Sequence, residues 1–348
     1  MEYAVYVLIY ICAIIFSIFP YVIKEKYFFI LWITITMMLS FALRIKYDPM
    51  VVSDISIYGT LMQVNVIPNY FYREFIFFFG MKSLYTLIGN EIYVFITVDL
   101  ITFILLYKGL LLIKKGMFEK IRNQNIFYMY FAVLLFFPFV LGIHTLLRQL
   151  LAVVIFFNAF GLICNKKYFK GLLIFTIAFF VHNSSIYFLP AILFMIEKPW
   201  MKTSSAIILV SILIANSILP SSTNELFYRD YGTNTEGYKI TLAYIYSLLS
   251  IAILLVTIEV THGKGNKMYL FWTTLTLIII YFSSLEAFSS GISQRVAFLV
   301  FSYLFPVIVY YIELNFKQKK TMRIIYLNVS ILPIIIIHNS TIDLTPLF

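Results

Sequence analysis

The chain reads as an all-α polytopic membrane protein, and three observations carry that reading. It is 62% hydrophobic and only 12% charged over 348 residues, about half the charged fraction of an ordinary soluble domain. Its mean hydropathy is +0.93. Apolar runs of membrane-crossing length recur from one end to the other, separated by short loops that hold most of the Lys and Arg. The net charge of +10 is therefore a topology signal and not a nucleic-acid-binding surface. Cys12 and Cys164 both lie inside apolar runs, which gives neither metal-ligand spacing nor a disulfide framework. Glu2 precedes the first run and no small-residue cleavage site follows it, so that run is expected to be an anchor helix.

Taken in order, spans are expected near 3–23, 27–43, 91–113, 124–142, 146–164, 168–181, 184–197, 203–219, 240–260, 268–284, 296–314 and 323–339, about twelve in all. The pair 168–181 and 184–197 is short for two full spans and is equally readable as a hairpin that crosses part way. The segment 71–88 is apolar enough to span but contains Arg73, Glu74, Gly80 and Lys82. If it does not span, the loops around 24–26, 108–122, 165–170, 197–202, 261–267 and 315–323 fall on one side. That side then carries 18 of the 26 Lys and Arg, as the positive-inside rule requires. Residues 71–88 are accordingly expected to form an interfacial or re-entrant helix on the outer side.

On this topology Arg44, Arg73, Arg148, Arg229 and Arg295 are outside, and only Arg122 and Arg323 are inside. A topology signal needs charge alone, whereas planar bidentate recognition of phosphate favours Arg over Lys. The outer side also holds the two longest polar loops, 44–72 and 220–239. The chain is thus read as one transmembrane domain, 1–348, with loops 44–90 and 220–239 contributing to an active-site cavity. No internal repeat is visible, which disfavours a carrier.

The stretch Gly142–Leu162 opens with His144, Arg148 and Gln149 ahead of a long apolar run. His144 and Arg148 are four apart and would share a face if one helix held both. Arg148 and Arg295 each precede or open a helix descending from the outer face, where an arginine and free helical N–H groups together suit phosphate. The alternative for any outer arginine is snorkelling to lipid headgroups. His182, in the turn VHNSSIYF, suits a general base or a sugar or phosphate ligand, or else a turn histidine bonded to backbone. Asp54 and Glu74 are outer carboxylates able to take a proton from a hydroxyl, or to pair with Arg44, Lys46 or Arg73. Asp48 fits the second role better. The loop LFYRDYGTNTEGY, with Arg229, mixes aromatic and hydrogen-bonding groups as sugar-binding surfaces do. Glu286, nine residues before Arg295, is a further candidate acid or base. No phosphate-binding loop, nucleophile elbow, zinc-protease motif or paired CxxC occurs, and neither a metal nor another cofactor is expected.

Several of these residues together resemble the EpsG-type, Wzy-like polysaccharide polymerases of bacterial membranes. The matching pieces are Asp54 with Tyr58, Glu74, the run RQLLA with Arg148 and Gln149, His182 with Ser184, and Arg295, spread over about residues 40 to 310. The resemblance implies a GT-C-like glycosyltransferase architecture in the bacterial inner membrane, with its active site facing the periplasm. Donor and acceptor would be undecaprenyl-pyrophosphate-linked oligosaccharides, the glycan being moved en bloc as in O-antigen assembly. A chain-length regulator protein is the expected partner. Arg148, Arg295, His182, Asp54 and Glu74 would be catalytic, with Arg73, Tyr58, Gln149, Arg229 and Glu286 binding substrate. A flippase or transporter of lipid-linked sugar, an O-antigen ligase and a multi-pass acyltransferase are the alternatives.

Overall fold

A computed structural model describes residues 2–19, 23–48, 54–63, 74–118, 126–218, 268–287, 290–316 and 318–339. Among these every regular element is helical. In order they are α1 (Glu2–Ile18), α2 (Glu25–Arg44), α3 (Asp54–Gln63), α4 (Phe75–Ile88), α5 (Glu91–Met117), α6 (Tyr128–Leu135), α7 (Phe137–His144), α8 (Leu147–Cys164) and α9 (Tyr168–Val181). A 3-10 turn (Asn183–Phe188) follows, then α10 (Leu189–Phe194), α11 (Pro199–Ile218), α12 (Met268–Ala287), α13 (Ser290–Asn315) and α14 (Lys319–Asn339). The expected span 240–260 lies outside the described residues. The chain divides into two units. One contains α1–α9, the end of α13 and α14; the other contains most of the 3-10 turn, α10–α12 and the beginning of α13.

Among the described residues, four helical stretches are long and apolar enough to cross a membrane: Glu25–Arg44, Glu91–Met117, Leu147–Cys164 and Val296–Leu314. Several shorter apolar helices accompany them, which makes this a helical membrane protein. Helix α4, like α9, has 14 residues and reaches about 21 Å at about 1.5 Å each, short of the ~30 Å hydrocarbon core. Gly89, in the left-handed region at φ 71°, ends it, and Asn90 starts α5 by accepting the Tyr93 N–H at 3.2 Å.

The expected single span over 124–142 is instead two short helices broken at Phe136. Pro138 sits in the first turn of α7; proline lacks an N–H and its ring opposes the carbonyl four residues back, so a helix running through it is interrupted. A second break falls at Thr145–Leu146, between α7 and α8. His144 and Arg148 are therefore not on one helix, and the shared face expected for them does not form.

Within the first unit α5 and α8 pack backbone to backbone. A Cβ on Gly161 would come within 2.5 Å of Leu112 Cβ, and one on Gly109 within 3.0 Å of Phe157 Cβ. Asn158 and Asn165 reinforce the contact by donating across it to the Leu105 and Leu112 carbonyls, each at 2.8 Å. Small residues that admit close approach, with polar groups that bond across it, are how membrane helices associate without a hydrophobic driving force.

Contacts at the helix ends sort these elements into two sets. At one end Glu2 reaches Lys46 (3.0 Å) and His144 (3.3 Å), gathering the start of α1 with the ends of α2 and α7. At the other end Arg323 of α14 grips both carboxylate oxygens of Glu313 at 2.6 Å and the Ser17 carbonyl at 3.2 Å, with its guanidinium over Tyr128. In the topology read from the charged loops, these two ends fall on opposite sides of the membrane.

Candidate active site

Helix α8 begins at Leu147, so Arg148 occupies its first turn, where amide N–H groups lack intrahelical partners. Helix α9 ends at Val181, leaving His182 and Asn183 in the turn after it. Glu74 immediately precedes α4 and joins the two. Its Oε2 accepts from Arg148 Nη1, and its Oε1 takes His182 Nδ1 at 2.6 Å and the Asn183 amide at 3.0 Å. All three side chains are buried, at 7% exposure for Arg148, 6% for Glu74 and 4% for His182.

Aromatic groups enclose the cation. The Arg148 guanidinium lies 5.4 Å from the Phe78 ring centre and 5.9 Å from that of Tyr58. Those rings belong to an apolar cluster with Met62, Phe77, Met81 and Leu147, so the charges interact with little solvent between them. Burial alone would push the Glu74 carboxyl up. The charge and hydrogen bond of His182, the Arg148 guanidinium and the Asn183 amide outweigh it and hold Glu74 down at about 2.

A carboxylate can only accept hydrogen bonds, so Nδ1 of His182 carries the proton facing Glu74. In the neutral ring that tautomer leaves the basic lone pair on Nε2. Held ionised by its neighbours, Glu74 is a poor proton acceptor near neutral pH. The cluster consequently contains an oriented imidazole, a carboxylate that orients it and a cation at a helix N-terminus. Beside Arg148, Gln149 is 3% exposed, and its Oε1 accepts no hydrogen bond from the described residues.

The other expected site residues are distributed as follows. Tyr58 is buried on α3 and stacks edge-on against Phe77. Asp54 opens α3, Glu286 lies at the end of α12 and Arg295 lies in the first turns of α13, but their side chains are outside the described ones. Arg73, Arg229 and the loop 220–239 lie outside the described residues altogether. His144 turns to Tyr6, whose hydroxyl meets Nε2 at 2.9 Å, and to Glu2. Among the described residues no three His, Cys, Asp or Glu side chains gather as metal ligands.

One buried pair escaped the sequence reading. Arg44, considered there as an outer arginine and as a partner for the outer carboxylates, is bonded to Asp99 in α5 through Nε at 2.8 Å and Nη2 at 3.0 Å. The signal was present: Asp99 is a carboxylate inside an expected span, and such a group needs a partner.

Fold and site together define a helical membrane protein with a buried arginine–glutamate–histidine cluster at the head of an apolar helix. The chain belongs to the EpsG family, whose profile matches residues 73–346. The matched stretch contains Glu74, Arg148, Gln149, His182, Arg229, Glu286 and Arg295, whereas Asp54 and Tyr58 precede it. No curated protein and no solved structure matches the chain. Family membership supports a role in polysaccharide polymerisation, with lipid-linked oligosaccharides as substrates.

Proposed function

We propose that the protein is a polysaccharide polymerase that transfers a glycan en bloc from undecaprenyl pyrophosphate to a lipid-linked repeat unit, on the periplasmic face of the bacterial inner membrane. The observation that carries this reading is the Arg148–Glu74–His182 cluster at the N-terminus of α8 in a chain of this family.

The acceptor hydroxyl attacks the anomeric carbon of the donor. Its proton passes to Nε2 of His182 as the new C–O bond forms. The bond from the anomeric carbon to the pyrophosphate oxygen breaks, and its electron pair leaves with the lipid pyrophosphate. Glu74 holds the imidazole in the required tautomer and stabilises the imidazolium, as carboxylates do in other hydrolases and transferases. Arg148 and the adjoining helix N-terminus face the charge that accumulates on the leaving group. Arg295 and Arg73 are assigned to the same pyrophosphate. Gln149, with an acceptor oxygen suited to a sugar hydroxyl, is assigned to the glycan with Tyr58, Arg229, Glu286 and Asp54. Arginines supply the cationic stabilisation, so the reaction runs without a divalent metal.

Removing a pre-placed donor to developing charge typically costs about 3–4 kcal/mol of transition-state stabilisation. Arg148→Ala, present at wild-type level, should therefore collapse the long-chain glycan ladder to single repeats. A normal ladder refutes the assignment. Loss of all surface glycan, single repeats included, supports a flippase instead. Purified protein given a defined lipid-linked repeat should elongate it equally with and without chelator.

A further inference from the structure

Helix α7 stops at His144 and α8 starts at Leu147, and this break is what gives Arg148 its place in a helix N-terminus. Breaking a helix inside an apolar protein has a cost, because the last carbonyls of the first segment lose the amides four residues on. The Leu141 carbonyl keeps the Thr145 N–H at 2.9 Å and gains the Leu146 N–H at 3.2 Å. The Ile143 carbonyl, which in a continuous helix would bond the Leu147 amide, receives Nη2 of Arg44 at 2.7 Å.

That guanidinium is held in place by a second set of bonds. Its Nε and Nη2 engage both oxygens of Asp99 (2.8 and 3.0 Å), and Ser40 donates to Asp99 Oδ2 at 2.6 Å. Arg44 is 2% exposed and Asp99 1%. The fork thus ties the ends of α2 and α7 to α5, the helix against which α8 packs through Gly109 and Gly161. A buried ion pair is weak evidence for stability on its own, since apolar replacements are often as stable. Its retention here has a geometric explanation.

We propose that Arg44, anchored by Asp99, is a positioning residue: it caps the broken end of α7 and so fixes where α8 begins and where Arg148 stands. The functional half of this proposal rests on the role given to Arg148 above; the structural half does not.

Two variants separate a positioning role from a merely structural one. Arg44→Met with Asp99→Leu removes both charges and leaves the Ile143 carbonyl without its donor. Asp99→Asn keeps Arg44 and its bond to Ile143 but weakens the ion pair. The double variant leaves no buried charge unpaired and should melt no lower than Asp99→Asn, yet show kcat/KM for a lipid-linked donor lower by about 10- to 100-fold, the scale of a misplacement of about 1 Å. Asp99→Asn should melt lower but keep near-normal activity per folded molecule. Hydrogen exchange of the 145–147 amides should rise in the double variant and not in Asp99→Asn, a readout independent of catalysis. Activity that simply tracks melting temperature overturns the proposal, as does unchanged exchange at 145–147. Raised exchange with unchanged kcat/KM overturns the link from the corner to Arg148. If Arg148→Ala itself polymerises normally, the functional reading falls and the exchange result alone decides the structural half.

Discussion

Replacing Glu74 by glutamine tests the centre of the site, because one atom changes and two partners feel it. The variant keeps the shape and an acceptor oxygen but deletes the negative charge between Arg148 and His182. With His182 protonated, Glu74 is held at about 2 against an ordinary 4.5, a gap worth about 3 kcal/mol of stability. The side chain is only 6% exposed, so solvent screening does little to reduce that figure. A second route, the ~3–5 kcal/mol typical of breaking a buried ion pair by removing one partner, gives the same size. Thermal unfolding of the purified protein in nanodiscs should show the loss, and elongation of a defined lipid-linked repeat should fall by about 100-fold or more as the imidazole loses its orienting carboxylate. Adding Arg148→Met to Glu74→Gln removes the cation as well and should restore part of the lost stability without restoring elongation, a coupling of the kind that double-mutant cycles measure. A single variant as stable and active as the wild type, or a double variant less stable than the single, refutes the cluster as described.

Further outcomes follow from the same contacts. Because the folded carboxyl of Glu74 lies below its unfolded value, its contribution is complete above about pH 4.5 and is lost as the pH falls towards about 2; the melting difference between wild type and Glu74→Gln should shrink across that window, and a constant difference contradicts the charge assignment. Gly161→Ala would set a Cβ 2.5 Å from Leu112 Cβ and 2.8 Å from the Ile113 amide nitrogen, so it should cost about 1–3 kcal/mol by overpacking, read as a lower melting temperature. An unchanged melting temperature contradicts the close approach of α5 and α8.

Much of the architecture was legible because membranes impose simple rules. Length, apolarity and charged loops marked α1, α2, α5, α8 and α9 within a few residues, since backbone polar groups in hydrocarbon leave helices as the available solution. Charge asymmetry set 71–88 apart from the spans, and there the structure has the 14-residue helix α4. The breaks at Phe136 and Thr145–Leu146 were not anticipated. Pro138 announces the first. No residue announces the second, because it depends on Arg44, 99 positions away from Ile143, to satisfy the carbonyl it exposes.

The site divides in the same way. Arg148, Glu74 and His182 could each be singled out by chemistry, as polar groups at the margins of apolar runs. Which of them was base, partner or ligand could not, because Glu74 and His182 stand 108 positions apart and Glu74 and Arg148 stand 74 apart. By itself the sequence determined a helical membrane protein of the EpsG family and the short list of side chains able to serve its chemistry. Only the tertiary structure decided that Glu74 joins Arg148 to His182 and that Arg44 turns from the surface to Asp99. Periodicity and hydropathy are local properties of the chain, whereas the pairing of a buried charge is settled by whichever distant helix brings its counter-charge within hydrogen-bonding reach.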